Sequence, residues 1–118
     1  MSTKNKSSTR YYSNKQEEAV AKLIGAQRQT NSGASLFAAG DLTSSKASLL
    51  VECKTCTTNK ESLSVKKEWI TKSKEEAHSK RLLNSCIAFS FGPDEPNYFI
   101  IDEKLMRFLV GKLEEEYE

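Results

Sequence analysis

The stretch "GDLTSSKASLLVECK", residues 40–54, decides how this chain is read. "LFAAGDL" and "ASLLVEC" are apolar, and the polar "TSSK" between them reads as a turn. The segment is therefore a strand, a turn and a second strand. Side chains alternate faces along a strand. Ala47, Leu49, Val51 and Cys53 share one face, and Ser48, Leu50, Glu52 and Lys54 share the other. Glu52 and Lys54 thus point the same way, roughly 6–7 Å apart by the strand rise. If the two strands pair as a hairpin, Asp41 lies beside Glu52.

Two carboxylates held together repel unless a positive charge sits between them. Two readings of the trio follow. In one, Glu52 and Lys54 are a solvent-facing pair on an edge strand and Asp41 is a turn residue after Gly40. In the other, Asp41 and Glu52 hold a divalent cation. Hard carboxylate oxygens favour Mg²⁺ or Mn²⁺ over zinc. A lysine beside such an ion holds or polarises a water, or stabilises charge on a phosphoryl oxygen.

Working outward, "SNKQEEAVAKLIGA" reads as a helix capped by Ser13 or Asn14, with Glu17 and Glu18 in its first turn, Val20, Leu23, Ile24 and Gln27 on one face and Gly25 weakening its far end. "TNSGAS" reads as a loop. "SLSVKKEWITKSKEEAHSK" predicts a helix over residues 65–80, capped by Ser62 or Ser64, with Val65, Trp69, Ile70 and Ala77 as its apolar stripe. "SCIAFSF" and "NYFII" are strands around the turn "GPDEP". "DEKLMRFLVGKLEEEYE" closes the chain as a helix whose Leu105, Met106, Leu109, Val110 and Leu113 share a side, for a dimer or for packing on the sheet. Helix, two or three strands, helix, two strands, helix is the order of an α/β sandwich around a mixed sheet.

The chain has 118 residues, 37% hydrophobic and 29% charged, which suits one compact domain with a small core. Residues 1–12 read as a flexible basic arm and residues 13–118 as the domain. The net charge is only +2, but residues 1–30 hold six basic and two acidic side chains, whereas residues 102–118 hold three basic and six acidic. The N-terminal part favours a polyanion and the C-terminal part repels one. No segment has the length of a membrane span, and "MSTKNKSSTR" lacks the apolar centre of a signal peptide. With three cysteines, an odd number, the expectation is an intracellular protein with reduced thiols.

Cys53-x-x-Cys56, His78 and Cys86 do not make a zinc site, because Cys53 faces away from Glu52 into the core and structural zinc wants four convergent ligands. Lys66, Lys67, Lys72 and Lys74 stud the second long helix. A solvated face accounts for such a run. Lys66 and Lys67, near the helix start and close to Lys54, are also placed to meet a phosphate. Arg10, Lys15 and Arg28 extend that track, and Ser32 can bond a phosphate from the loop.

Gly40-Asp41, ten residues, then Glu52-Cys53-Lys54, behind a helix bearing a Glu, resembles the PD-(D/E)XK nuclease superfamily. Size and layout look like the archaeal-type Holliday junction resolvases and their small phage-encoded relatives. Glu17 lies 24 positions before Asp41, a separation similar to theirs. "NSGAS" resembles their Ser/Gly-rich loop. Gly40 stands where the pattern has Pro. The resemblance covers roughly residues 14–110 and implies a restriction-endonuclease-like αβββαβ core, with a mixed central sheet flanked by helices and followed by a C-terminal helix. It implies that Asp41, Glu52 and the backbone carbonyl of Cys53 bind Mg²⁺, with Mn²⁺ as a substitute. Lys54 would orient or activate the attacking water. Glu17 would complete the site in preference to Glu18, because it shares the inward face with Val20 and Ile24. The implied activity is Mg²⁺-dependent endonucleolytic hydrolysis of DNA phosphodiesters, in particular resolution of four-way junctions by a homodimer of phage or mobile-element origin, acting in a bacterial cytoplasm. Flaps, nicks or a restriction-like target are alternative substrates. A non-catalytic DNA-binding subunit is the alternative from another class.

Overall fold

The computed structural model describes residues 9–28 and 41–118, without the side chains of Thr9 and Arg28. Helix α1 spans Thr9–Ile24 and strand β1 spans Gln27–Arg28. Strands β2 (Asp41–Ser44) and β3 (Leu49–Lys54) follow, then helix α2 (Lys67–Ser79), strands β4 (Asn84–Phe89) and β5 (Tyr98–Ile100), and helix α3 (Glu103–Glu116). The five strands form one mixed sheet in the order β1-β2-β3-β4-β5. Neighbours are antiparallel except β3 and β4, which run parallel. A parallel pair needs a crossover, and α2 supplies it. The fold is thus α/β, as its alternating helical and strand periods predict. No helix among the described residues is long and apolar enough to cross a membrane.

The two faces of β3 divide as the alternation requires. Val51 and Cys53 join Leu42, Cys86, Ala88 and Val20 of α1 in the buried core, with Ala21 and Ile24 packed against it. On the other face Leu50 and Ile87 are fully covered, and α2 contributes Ser73 and Ala77 to the buried set. Burying a Leu, Val or Ile side chain stabilises by about 1.5–3 kcal/mol, so the central strands carry most of the fold.

Several local expectations are corrected. Helix α1 begins at Thr9, inside the segment expected to be an arm, and Ser13 and Asn14 are interior rather than capping. Tyr11 and Tyr12 are half-buried and stack edge to face, centroids 5.1 Å apart, which favours order in a segment read as polar tail. Gly25, read as a weak point, ends the helix instead: it takes φ +67°, and the Ala26 amide donates to the Ala21 carbonyl at 3.0 Å. That is the left-handed glycine stop of a Schellman turn.

The first hairpin turn also moves. Thr43 and Ser44 remain in β2, paired with Leu50 and Leu49, and the reversal falls at Ser45–Ser48. Ser48, expected in the strand, adopts φ 52°. Its hydroxyl accepts from the Leu83 amide at 2.8 Å, and its carbonyl accepts from the Asn84 amide at 2.9 Å. The turn is thereby tied to the return from α2.

Ser62 and Ser64 do not cap α2, which starts later, and Val65 stays outside it and exposed. Its last residues make a second Schellman turn, here with the non-glycine Arg81 at φ 60° and the Leu82 amide donating to Ala77 at 2.8 Å. Asp102 caps α3 by accepting from the Leu105 amide at 2.9 Å, and Lys74 of α2 pairs with it at 2.5 Å. These two donors hold the Asp102 carboxyl below its ordinary range. Helix α3 itself buries no residue fully.

Ser32, the "TNSGAS" loop, the "LFAAG" half of the first expected strand and residues 1–8 lie outside the described residues.

Candidate active site

Asp41 and Glu52 are directly opposed across β2 and β3. Opposed residues of an antiparallel pair point to the same face with Cβ atoms about 4.5–5.5 Å apart. Lys54, two residues on, shares that face, and its Nζ lies 2.7 Å from Glu52 Oε2. The same Nζ stands 4.8 Å from the centroid of the Trp69 ring. Trp69, expected in the core, is therefore a half-buried wall of the site. Cation–π attraction holds the ammonium over the ring.

Asp41 is 5% exposed. Burial raises its pKa first, then a hydrogen bond and the charge of Glu76, then Glu52; Lys80 opposes them, and the result is a carboxyl pushed up to about 8. The hydrogen bond to Asp41 holds Glu76 below its ordinary range, against burial. Lys80 adds to that effect from one turn further along α2, its Nζ 3.3 Å from Glu76 Oε2. Three acids thus meet two lysines on one side of the sheet.

Glu76 was not anticipated. The signal for it was present in the helical phase of α2. Trp69 and Glu76 are seven residues apart, two turns, and so lie on one face. Fixing that face by Trp69 places Glu76 over β2.

Glu17 is buried and Glu18 exposed, in line with the inward face expected for Glu17. The Ser13 hydroxyl donates to Glu17 Oε2 at 3.0 Å. Glu17 lies on the α1 side of the sheet, where its charge, after burial, raises the Cys53 thiol to about 12. Glu52 and Lys54 point to the α2 side. The acid bonded to Asp41 is accordingly Glu76 and not Glu17. Among the described residues no three His, Cys, Asp or Glu side chains form a ready-made metal cage.

Cys53, Cys56 and Cys86 form no disulfide, and burial pushes the Cys86 thiol up to about 11. Protonated core thiols are poor metal ligands. His78 is exposed near the end of α2.

The basic residues divide. Lys72 pairs with Glu68 at 3.2 Å, and Lys74 is engaged by Asp102. Lys66, at the N-cap of α2, and Lys67, its first residue, are exposed and have no acidic partner among the described residues. They precede Trp69 by about one turn. Arg10 is exposed on the first turn of α1. Lys15 pairs with Asp94 across a cavity of about 260 Å³. Beneath it the Thr55 hydroxyl donates to Gln16 Oε1 at 2.9 Å, and Gln16 donates to Asn97 Oδ1 at 3.1 Å. That chain of bonds joins α1 to the ends of β3 and β5.

Phe89, beside Lys54 in the β3–β4 register, meets Phe91 and Tyr98 with ring centroids 5.6 and 5.9 Å away. These rings were read only as strand residues. They give the Lys54 end of the site an apolar margin.

Comparison with known proteins finds no matching family model, no matching curated protein and no matching solved structure.

Proposed function

We propose that this chain is a Mg²⁺-dependent DNA endonuclease of the PD-(D/E)XK type, a resolvase of four-way junctions. The observation that supports it most is the opposition of Asp41 and Glu52 with Lys54 on the same face. The order α1-β1-β2-β3-α2-β4, with a β2–β3 hairpin and a parallel β4, is compatible with the core that such nucleases share.

The donor set fits a divalent ion. Burial first, then the hydrogen bond and charge of Glu76 and the charge of Glu52, raises the Asp41 pKa. A hard cation relieves the same repulsion. Asp41, Glu52 and the Cys53 carbonyl would hold it, with Glu76 of α2 beside Asp41 and Glu17 on the opposite face of the sheet. When bound, Mg²⁺ supplies Lewis-acid activation of water and phosphate. Lys54 orients the attacking water and faces the scissile phosphate, and Trp69 keeps its ammonium in place. Arg10, Lys15, Lys66 and Lys67, with Arg28 and Ser32, bind the DNA backbone, which supplies affinity and register rather than sequence reading. Lys15 must exchange Asp94 for phosphate to do so. Symmetric cutting of a junction calls for a two-fold pair of chains.

The test is cleavage of a labelled four-way junction, with duplex, flap, nicked and single-stranded DNA in parallel, in Mg²⁺, Mn²⁺ or EDTA. Paired metal-dependent nicks on the junction, lost in Asp41→Asn and Lys54→Ala, are expected. Equal cutting of the other DNAs would replace the resolvase by another nuclease of the same chemistry. Binding without cutting would leave a DNA-binding subunit.

A further inference from the structure

An apolar groove of about 780 Å³ runs between α3 and the edge of the sheet, well away from Asp41 and Lys54. Leu49, Leu83, Phe99, Ile101, Phe108 and Leu109 line it, and Lys46 and Lys104 border it. Leu83 is 79% exposed and Phe108 59%. Met106, Val110 and Leu113 of α3 and Tyr117 at its C-cap, outside that lining, are all exposed too. Their spacing of four, three and four residues is a helix–helix seam. Helix α3 therefore carries apolar surface on two sides: one lines the groove and the other faces away from it.

We propose that α3 of a second copy occupies this groove, each chain giving its helix and receiving its partner's in a two-fold dimer. Charge selects that occupant and its direction. Residues 112–118 carry four glutamates and one lysine. An antiparallel α3 from a second copy brings those glutamates to Lys104, at the start of α3, and to Lys46, which has no acidic partner among the described residues. The stripe of Met106, Val110 and Leu113 then enters the groove as an amphipathic helix enters a cleft, at the spacing such anchors use. Because each copy holds both the helix and the groove, the contact is self-complementary and closes at two. The negative tail, which opposes DNA, is thereby used against lysines of the partner and kept on the side away from the candidate active site.

The dimer was expected from the resolvase reading, but the surface stands on its own chemistry. Its readout is mass, so its failure and that of the nuclease reading are distinguishable. The full-length chain is measured by light scattering and sedimentation equilibrium from low to high concentration. A mass twice 13.3 kDa is expected. Met106→Glu with Leu113→Glu should return the mass to one chain with unchanged circular dichroism, since both side chains lie outside the core. Lys46→Glu with Lys104→Glu should weaken association at least tenfold. Adding Glu115→Lys and Glu116→Lys to that pair should restore it. A single-chain mass at every concentration overturns the proposal. So does a dimer indifferent to the Glu substitutions, or an open-ended assembly that grows with concentration.

Discussion

The Asp41 and Glu76 carboxyl groups are hydrogen-bonded, joining strand β2 of the candidate site to the helix that crosses the sheet. This bond gives the site a definite pH response. The folded pKa of Asp41, about 8, stands above the ordinary 3.8. The native state therefore binds a proton that the unfolded chain releases, and stability drops as pH rises from about 4 to about 8. Thermal melts in EDTA should show Tm falling across that window. Asp41→Asn should flatten the slope and raise Tm at pH 8 by several degrees, the order expected for about 1–2 kcal/mol. Added Mg²⁺ should stabilise the protein more at pH 8 than at pH 6, because it displaces the proton.

Lys54 and Trp69 should separate by magnitude. Loss of a preorganised charged group facing the reacting centre lowers kcat by about 10²–10³-fold, the outcome expected for Lys54→Ala in the junction assay. Trp69→Leu removes only the ring that steadies the ammonium. A cation–π contact of about 0.5–1 kcal/mol corresponds to a two- to fivefold loss, with the Mg²⁺ dependence unchanged. Equal losses in the two variants would place Trp69 against the substrate instead.

Arg81 holds the left-handed position that ends α2. A side chain there costs about 1 kcal/mol relative to glycine. Arg81→Gly should raise stability by about 0.5–1 kcal/mol in urea unfolding, after some loss to the greater freedom of glycine in the unfolded chain. Gly25→Ala should do the reverse at the end of α1.

Ser73 is 1% exposed and its hydroxyl has no hydrogen-bond partner among the described residues. Ser73→Ala removes a buried polar group that contributes no bond, and stability should rise by about 1 kcal/mol. Ser73→Val would instead test whether the small cavity beside Ile70 and Ile101 has room to spare.

The parts of this fold legible in the sequence are those governed by strand alternation. Val51 and Cys53 in the core, Glu52 and Lys54 opposite them, and Asp41 across from Glu52 all follow from a period of two and one hairpin. The turn that joins those strands was misplaced because threonine and serine fit either a turn or a strand, and the bonds from Ser48 to Leu83 and Asn84 are long-range. Glu76 eluded the reading for a related reason. Its helix is rich in charge, and nothing local separates an acid aimed at β2 from one aimed at water. The stop at Arg81 was invisible because the expected residue there is glycine.

Helix α2 touches both ends of the candidate site. Trp69 steadies Lys54 and Glu76 grips Asp41, two turns and about 10.5 Å apart along one rigid rod. The Lys54 side and the Asp41 side are therefore gauged by a single ruler. Tilting that rod shifts both, so Trp69→Leu and Glu76→Gln should not add: a double-mutant cycle between these non-touching residues should show coupling well beyond the usual scatter of independent positions.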